Sequence, residues 1–214
     1  MAIIYNPNKK IFTLHTAHTT YQMQVDTLGY LLHLYYGEKT NSSMDYVLTY
    51  ADRGFSGNPY AAGMNRTYSL DALPQEYPSL GTGDYRNIAL NIKNEKGVES
   101  ADLLFKSYEI RSGKYQLQGL PAVWADENEA QTLEIVLADE NAQVEVHLLY
   151  GVLEETDIIT RSVRIKNMGT GQITIEKAAA ACLDFVQGEF DVLRFYGKHA
   201  MERNLERTPL GHGT

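Results

Sequence analysis

Cysteine is almost absent from this chain. Cys182 stands alone, so no disulfide can form within it, which fits a reducing compartment. Long apolar runs are missing as well. None approaches the ~18 residues that a membrane-spanning helix needs. The opening residues Met1-Ala2-Ile3-Ile4-Tyr5-Asn6-Pro7 lack the basic stretch and apolar run of a secretory signal. The expectation is therefore a cytoplasmic location. Basic residues are also in short supply, at 19 against 27 acids, for a net charge of −8. They are scattered and form no cationic surface, which argues against nucleic acid or an anionic membrane as partner. A neutral ligand is indifferent to such a field. Amphipathic helical stretches longer than two or three turns are lacking too, and Trp124 is the only tryptophan.

What is present is period-2 alternation. Residues 143–150 place Val144, Val146, Leu148 and Tyr150 on one face and Gln143, Glu145 and His147 on the other, the pattern of a half-buried strand. Residues 158–166 set Ile159, Val163 and Ile165 against Thr160, Ser162, Arg164 and Lys166. Arg161 falls on the apolar phase and so requires a strand end or a buried partner, because an unpaired buried charge is very costly. Asn167-Met168-Gly169-Thr170-Gly171 then reads as a hairpin turn into Ile173 and Ile175. Tyr21–Val25, Asp26-Thr27 and Leu28–Gly37 read as a second hairpin. Residues 131–137 form a further strand, and the turn at Arg111-Ser112-Gly113-Lys114 separates two more. With 43% hydrophobic residues, the chain is too apolar to be disordered. Many short strands with closely spaced turns predict one all-β domain of packed antiparallel sheets over residues 1–214.

Residues 51–87 break the alternation. Glycine, proline and asparagine interrupt them every few positions. A connection this long is uncommon in a compact domain and is often functional. It carries Asp52, Arg53, Arg66, Asp71, Glu76, Asp84 and Arg86. Two readings stand side by side: a binding element braced by a rigid sandwich, or an irregular loop whose charges pair among themselves.

Several chemistries leave no trace. No glycine-rich phosphate loop is present, since Gly81-Thr82-Gly83 lacks the following glycine. The six histidines, His15, His18, His33, His147, His199 and His212, are dispersed and predict no metal site. No Gly-x-Ser-x-Gly elbow occurs. Glycoside hydrolysis needs two carboxylates at a set separation, roughly 5 Å for retention or 6.5–9.5 Å for inversion. Nothing singles out such a pair; Asp184, Glu189 and Asp191 read as a solvated turn. Cys182, in an alanine-rich run, reads as a small buried hydrophobe.

The long loop and its flanks nevertheless resemble a known family. Asp52-Arg53-Gly54-Phe55-Ser56-Gly57-Asn58-Pro59 is similar to the Asp-Arg-x-Phe-Ser-x-Asn-Pro loop of glycoside hydrolase family 36 α-galactosidases. Ser69-Leu70-Asp71, Pro74-Gln75-Glu76-Tyr77-Pro78 and Gly83-Asp84-Tyr85-Arg86 continue the likeness. Gly113-Lys114, Gly119-Leu120-Pro121-Ala122, Thr132-Leu133-Glu134-Ile135, Ile159-Thr160-Arg161-Ser162, Glu202-Arg203 and Glu206-Arg207 follow in the family's order. Each is weak alone, and the ordered series is specific. His199 stands where many members carry Trp, and Gly57 where Pro is frequent.

The resemblance implies an antiparallel β-supersandwich of the galactose-mutarotase-like kind, preceding a catalytic (β/α)8 barrel and a C-terminal β domain that this chain lacks. It implies a parent enzyme that cleaves terminal α-galactosides such as melibiose and raffinose with retention, without metal or other cofactor, as a homotetramer. The catalytic aspartates of the family lie in the barrel, so no catalytic residue falls here and the chain alone is expected to be inactive. The long loop is implied to reach a neighbouring subunit's sugar site, with Asp52, Arg53, Asn58 and Arg66 as substrate-proximal candidates. Charge-assisted hydrogen bonds to sugar hydroxyls suit those side chains. The alternatives are a stand-alone carbohydrate-binding module that uses Trp124, and a sugar epimerase, which would need a His and a carboxylate converging in a cleft.

Overall fold

The computed structural model describes residues 2–52, 54, 60, 64–185 and 188–211. Chain contacts divide it into two units, Met1–Asp184 and Phe185–Thr214. The described residues form twelve strands and one 3₁₀ turn, Asp45–Val47. No described helix is long and apolar enough to cross a membrane.

The first unit is built on two four-stranded antiparallel meanders. One runs β1 (Ile3–Asn6), β2 (Ile11–His15), β3 (Thr19–Val25) and β4 (Leu31–Glu38). The other runs β6 (Leu104–Ser112), β7 (Gln131–Asp139), β8 (Val144–Leu153) and β9 (Ile158–Asn167). A third, two-stranded sheet pairs β5 (Leu90–Asn94) with β10 (Ile173–Ala178). Alternate apolar residues from the two meanders meet between them. Phe12, Leu14, Tyr21 and Met23 face Leu133, Ile135, Leu137, Val146, Leu148 and Tyr150 in one buried cluster. Rings seal one side: Tyr108 lies 4.6 Å from Tyr5 and 5.0 Å from Phe12. This is the β-sandwich expected from alternation.

The β3–β4 hairpin forms where the sequence places it. Asp26 makes the turn, its Oδ1 accepting the backbone N–H of Leu28 and of Tyr30, each at 2.9 Å. Three local readings need correction. The strand β8 is buried on both faces for most of its length, not half-buried. His147 on its polar face is covered, with Nδ1 2.6 Å from Glu134 Oε1, and Arg111 Nη1 donates to the other oxygen of that carboxylate at 2.9 Å. The strands flanking Asn167–Gly171 are not a hairpin, because β10 pairs with β5. Asn167 folds the turn on itself, accepting from Gly169 N–H and donating to the Gly171 carbonyl, and the chain crosses to another sheet. Only one strand, β6, borders Gly113; residues 113–130 form no strand. Thr132 explains this, since its hydroxyl donates to the Gly113 carbonyl at 2.7 Å and accepts the Tyr115 N–H at 2.9 Å, drawing the backbone out of the ladder.

The second unit is a hairpin of β11 (Asp191–Lys198) and β12 (Met201–Pro209). Arg194 and Glu206 face each other across it, and Arg207 pairs with Asp191. Near its tip a Cβ on Gly197 would lie 2.3 Å from the Met201 carbonyl oxygen, so only glycine fits.

Leu148→Ala should cost about 2–5 kcal/mol, because a fully buried side chain leaves a cavity that close packing cannot collapse. Exposed Ile175→Ala should cost below about 0.5 kcal/mol. Urea unfolding of the two variants against the parent checks both.

Candidate functional site

The return limb of the long loop is held by two buried polar clamps. Pro74–Glu76 docks along the edge of β4: His33 N–H donates to the Pro74 carbonyl at 2.6 Å and Glu76 N–H to the Leu31 carbonyl at 2.9 Å. Proline suits a position whose nitrogen is not asked to donate. The added segment also covers an otherwise open sheet edge. From there Gln75 and Glu76 project in opposite directions, as neighbours on an extended segment must.

Glu76 enters the sandwich and is fully buried at 0% exposure. Four side chains surround its carboxylate. Tyr21 Oη lies 2.7 and 2.8 Å from its two oxygens. Tyr150 Oη donates to Oε1 at 2.6 Å, Arg161 Nη1 donates to Oε1 at 2.5 Å, and His33 Nδ1 lies 3.0 Å from Oε2. A carboxylate only accepts, so His33 carries its proton on Nδ1. The Arg161 guanidinium also stacks on the Tyr150 ring at 3.9 Å, a cation–π contact. The out-of-phase arginine of the sequence thus has its buried partner.

Burial pushes the Glu76 carboxyl up, but Arg161, His33 and Tyr150 outweigh it and hold the group below its ordinary value. Burial likewise opposes the Arg161 charge, and Tyr150, Glu76 and Tyr21 keep it on. The same burial, with the Glu76 charge, lifts the hydroxyls of Tyr21 and Tyr150 far above the usual tyrosine range. Arg161 Nε and Nη2 and His33 Nε2 find no hydrogen-bond partner among the described residues.

The second clamp grips Asp84, which is 2% exposed. Arg86 binds it bidentately, Nε to Oδ1 at 2.9 Å and Nη2 to Oδ2 at 2.8 Å. Its Nη2 also donates to the carbonyls of Leu70 and Leu73, at 3.1 and 2.7 Å. Gln75 Nε2 reaches Asp84 Oδ2 at 3.0 Å, which links the two clamps. Burial raises the Asp84 carboxyl, and the bonds from Arg86 and Gln75 bring it net below its ordinary value. Cys182 is half-buried, and burial with the nearby Asp184 and Glu76 charges pushes its thiol up.

Of the substrate-proximal candidates, the structure brings two together. Arg66 Nε lies 3.3 Å from Asp52 Oδ2, with both side chains about half exposed or more. Asp52 Oδ1 accepts the Gly54 N–H at 2.8 Å. Arg53 and Asn58 lie outside the described residues. Of the loop's described charges, Asp52 pairs with Arg66 at the surface and Asp84 with Arg86, whereas Glu76 pairs with Arg161 on β9. His33, Tyr21 and Tyr150 escaped the sequence reading. The one signal was the phase of Arg161, which called for a strand end or a buried partner. His33 and Glu76 are the His and carboxylate that sugar epimerisation would need, yet His33 is also buried, so no sugar reaches them. Trp124 is 72% exposed and lines an open cleft of about 540 Å³ with Ser112, Glu127, Glu129 and Glu154.

Removing either charge of the buried pair strands the other, at about 3–5 kcal/mol. Glu76→Gln and Arg161→Met should each lower stability on that scale, and the double replacement Glu76→Leu/Arg161→Met should recover part of the loss. Because the folded-state Glu76 carboxyl is depressed, its contribution is complete above the unfolded carboxylate value of roughly 4.3 and is lost as pH falls through the folded value. Denaturant midpoints between pH 6 and 3 should therefore fall less steeply for Glu76→Gln than for the parent.

Residues 29–214 match the model of the glycosyl hydrolase family 36 N-terminal domain. The chain is 96% identical over its whole length to a bifunctional alpha-galactosidase/sucrose kinase, AgaSK, from Mediterraneibacter gnavus, and covers 23% of that protein. It superposes on the solved galactosidase domain of an AgaSK with a TM-score of 0.95, covering 99% of this chain and 30% of that one. A variant of the family 36 alpha-galactosidase AgaA from Geobacillus stearothermophilus, solved in complex with raffinose, gives a TM-score of 0.89 at 38% identity, over 95% of this chain and 28% of that one. The chain thus spans about a quarter of the length of the relatives it matches.

Proposed function

The chain belongs to the N-terminal domain family of glycoside hydrolase family 36, and from that premise we propose that it serves a cytoplasmic, retaining α-galactosidase as a non-catalytic domain that supports oligomerisation and shapes the sugar site. The observation that supports this is the loop between Asp52 and Arg86, clamped at its return limb, with its described outer residues Asp52, Gly54 and Met64 to Thr67 exposed. The α-galactosidase activity is the one shared by the names of the relatives described above. The substrates follow the same route: the AgaA variant was solved with raffinose, so terminal α-galactosides are the class expected for the longer protein.

On this reading the domain presents Asp52, Arg53, Asn58 and Arg66 to a neighbouring subunit. The surface pair Asp52–Arg66 suits a contact that exchanges partners. An exposed ion pair contributes only about 0–1 kcal/mol, so breaking it to bind sugar hydroxyls costs little. No cofactor is called for, and the domain supplies no reacting group. The second reading, a stand-alone carbohydrate-binding module, draws on the exposed Trp124 beside its acidic cleft.

The longer protein should hydrolyse nitrophenyl α-galactoside and raffinose, while the purified 214-residue chain should hydrolyse neither; turnover by the chain alone would sink the non-catalytic assignment. Asp52→Ala in the longer protein should raise the raffinose KM roughly tenfold, equivalent to about 1.4 kcal/mol, and leave thermal stability within about 0.5 kcal/mol. Saturable quenching of Trp124 by millimolar raffinose in the isolated chain would instead favour the binding-module reading.

A further inference from the structure

The cleft beside Trp124 measures about 540 Å³, within the roughly 300–1,000 Å³ of small-molecule sites. Its buried lining is apolar and includes Ala2, Ala130 and Val152. Two turns border it, and the protein has already fixed both. In one, Glu129 N–H donates to the Asp126 carbonyl at 3.1 Å, and Asp126 N–H donates to Glu129 Oε2 at 2.8 Å. The other joins β8 to β9. There the Glu154 carbonyl accepts the Ala17 N–H at 2.8 Å, and Asp157 Oδ1 accepts the Thr16 hydroxyl and the His18 N–H, each at 2.7 Å. A cleft held in this way is preformed, so little ordering entropy is lost when it fills.

The groups left uncommitted point to the ligand. Trp124 is 72% exposed, its ring packs on no other ring, and its indole N–H meets no acceptor among the described residues. Glutamates elsewhere on the sandwich are paired: Glu134 with Arg111, Glu145 with Lys106 and Glu176 with Lys93. In the cleft, the side chains of Glu127, Glu154 and Glu155 make no ion pair or hydrogen bond with the described residues, and no lysine, arginine or histidine is in the lining. Ser112 and Asn128 line it too, and their side chains are equally unengaged. A sugar ring matches this set. Its C–H face suits the indole, and its hydroxyls donate to the carboxylates in charge-assisted bonds. The hydroxyl oxygens in turn accept from Asn128, Ser112 and the indole N–H. An organic cation would use the ring and the carboxylates but would leave those donors idle.

We propose that the Trp124 cleft is an oligosaccharide-binding site carried by the sandwich itself, with the indole as stacking platform and Glu127, Glu154 and Asn128 as hydrogen-bonding groups. It extends the binding role from a stand-alone module to a domain of an enzyme, because the cleft uses neither the long loop nor a barrel. Only the choice of an α-galactoside as the sugar rests on the reading of the chain as part of an α-galactosidase.

Trp124 is the only tryptophan, so the tryptophan fluorescence of the 214-residue chain reports on this cleft alone. Raffinose should change that emission saturably, with half-saturation at about 1–10 mM. The curve should be the same at about 0.05 and 0.5 M salt, because the ligand is neutral. By calorimetry, Trp124→Ala and the double variant Glu127→Gln/Glu154→Gln should each weaken binding about tenfold or more, the range of a lost charge-assisted hydrogen bond or stacking contact. Their melting curves should match the parent, since these side chains lie at the surface. Neither fluorescence change nor heat up to about 50 mM raffinose overturns the proposal, as does parent-like binding by Trp124→Ala. Quenching by spermidine that salt abolishes, with raffinose silent, makes the cleft a cation site and overturns it too. So does a blue shift that grows with protein concentration while raffinose is silent, which makes the cleft a contact between copies. Raffinose hydrolysis by the longer protein is scored apart. Hydrolysis without binding here removes this site and leaves the enzyme reading standing; binding without hydrolysis keeps the site and leaves the module.

Discussion

A fully buried carboxylate dictates much of this fold. Glu76 cannot sit ionised in a dry sandwich without an opposing charge and a full set of donors. Those arrive from Tyr21 on β3, His33 on β4, Tyr150 on β8 and Arg161 on β9. One side chain of the loop is thereby tied to both meanders. The energetic return of such a pair is small, since apolar replacements of buried ion pairs are often as stable. Register is a better account of its value here. Slipping β9 by one residue would send Arg161 outward and bring Thr160 or Ser162 to Glu76, leaving the carboxylate without its counter-charge.

The loop is consequently unequal along its length. Its return limb, from Pro74 to Arg86, is fixed by backbone pairing to β4, by the Glu76 cluster and by the Asp84–Arg86 fork. Its outer part has, at Asp52 and Arg66, an ion pair of mostly exposed groups that salt and water weaken. The strong interactions set the position of the return limb, and the weak ones leave the described outer residues to solvent.

Much of the sandwich could be read from alternation alone. Val144, Val146, Leu148 and Tyr150 point inward as their period demands, and Ile159, Val163 and Ile165 pack on the same core. What alternation does not encode is which strands become neighbours. Ile173 and Ile175 have strand character, but their partner is β5, some eighty residues earlier, because Asn167 closes its own turn. Burial of polar residues was also hidden. His147 looks solvent-facing until Glu134 and Arg111 are seen to cover it. Arg161 was the exception: a charge on the apolar phase is a local contradiction that called for a strand end or a buried partner, and the structure supplies the partner, Glu76.

Three of the short motifs that carry the family likeness share one physical role. Gln75 and Glu76, Asp84 and Arg86, and Arg161 come from three separate motifs, and all of them belong to the linked clamps. These three motifs therefore mark a bracing network, in which each member has to be the right donor or acceptor at the right depth. Such residues identify a fold more securely than they identify an activity, because function resides in sites carried by a fold and not in the fold itself. Changes at Glu76 or Arg161 therefore report on whether the loop is held in place, because each removes the counter-charge of the other inside the sandwich.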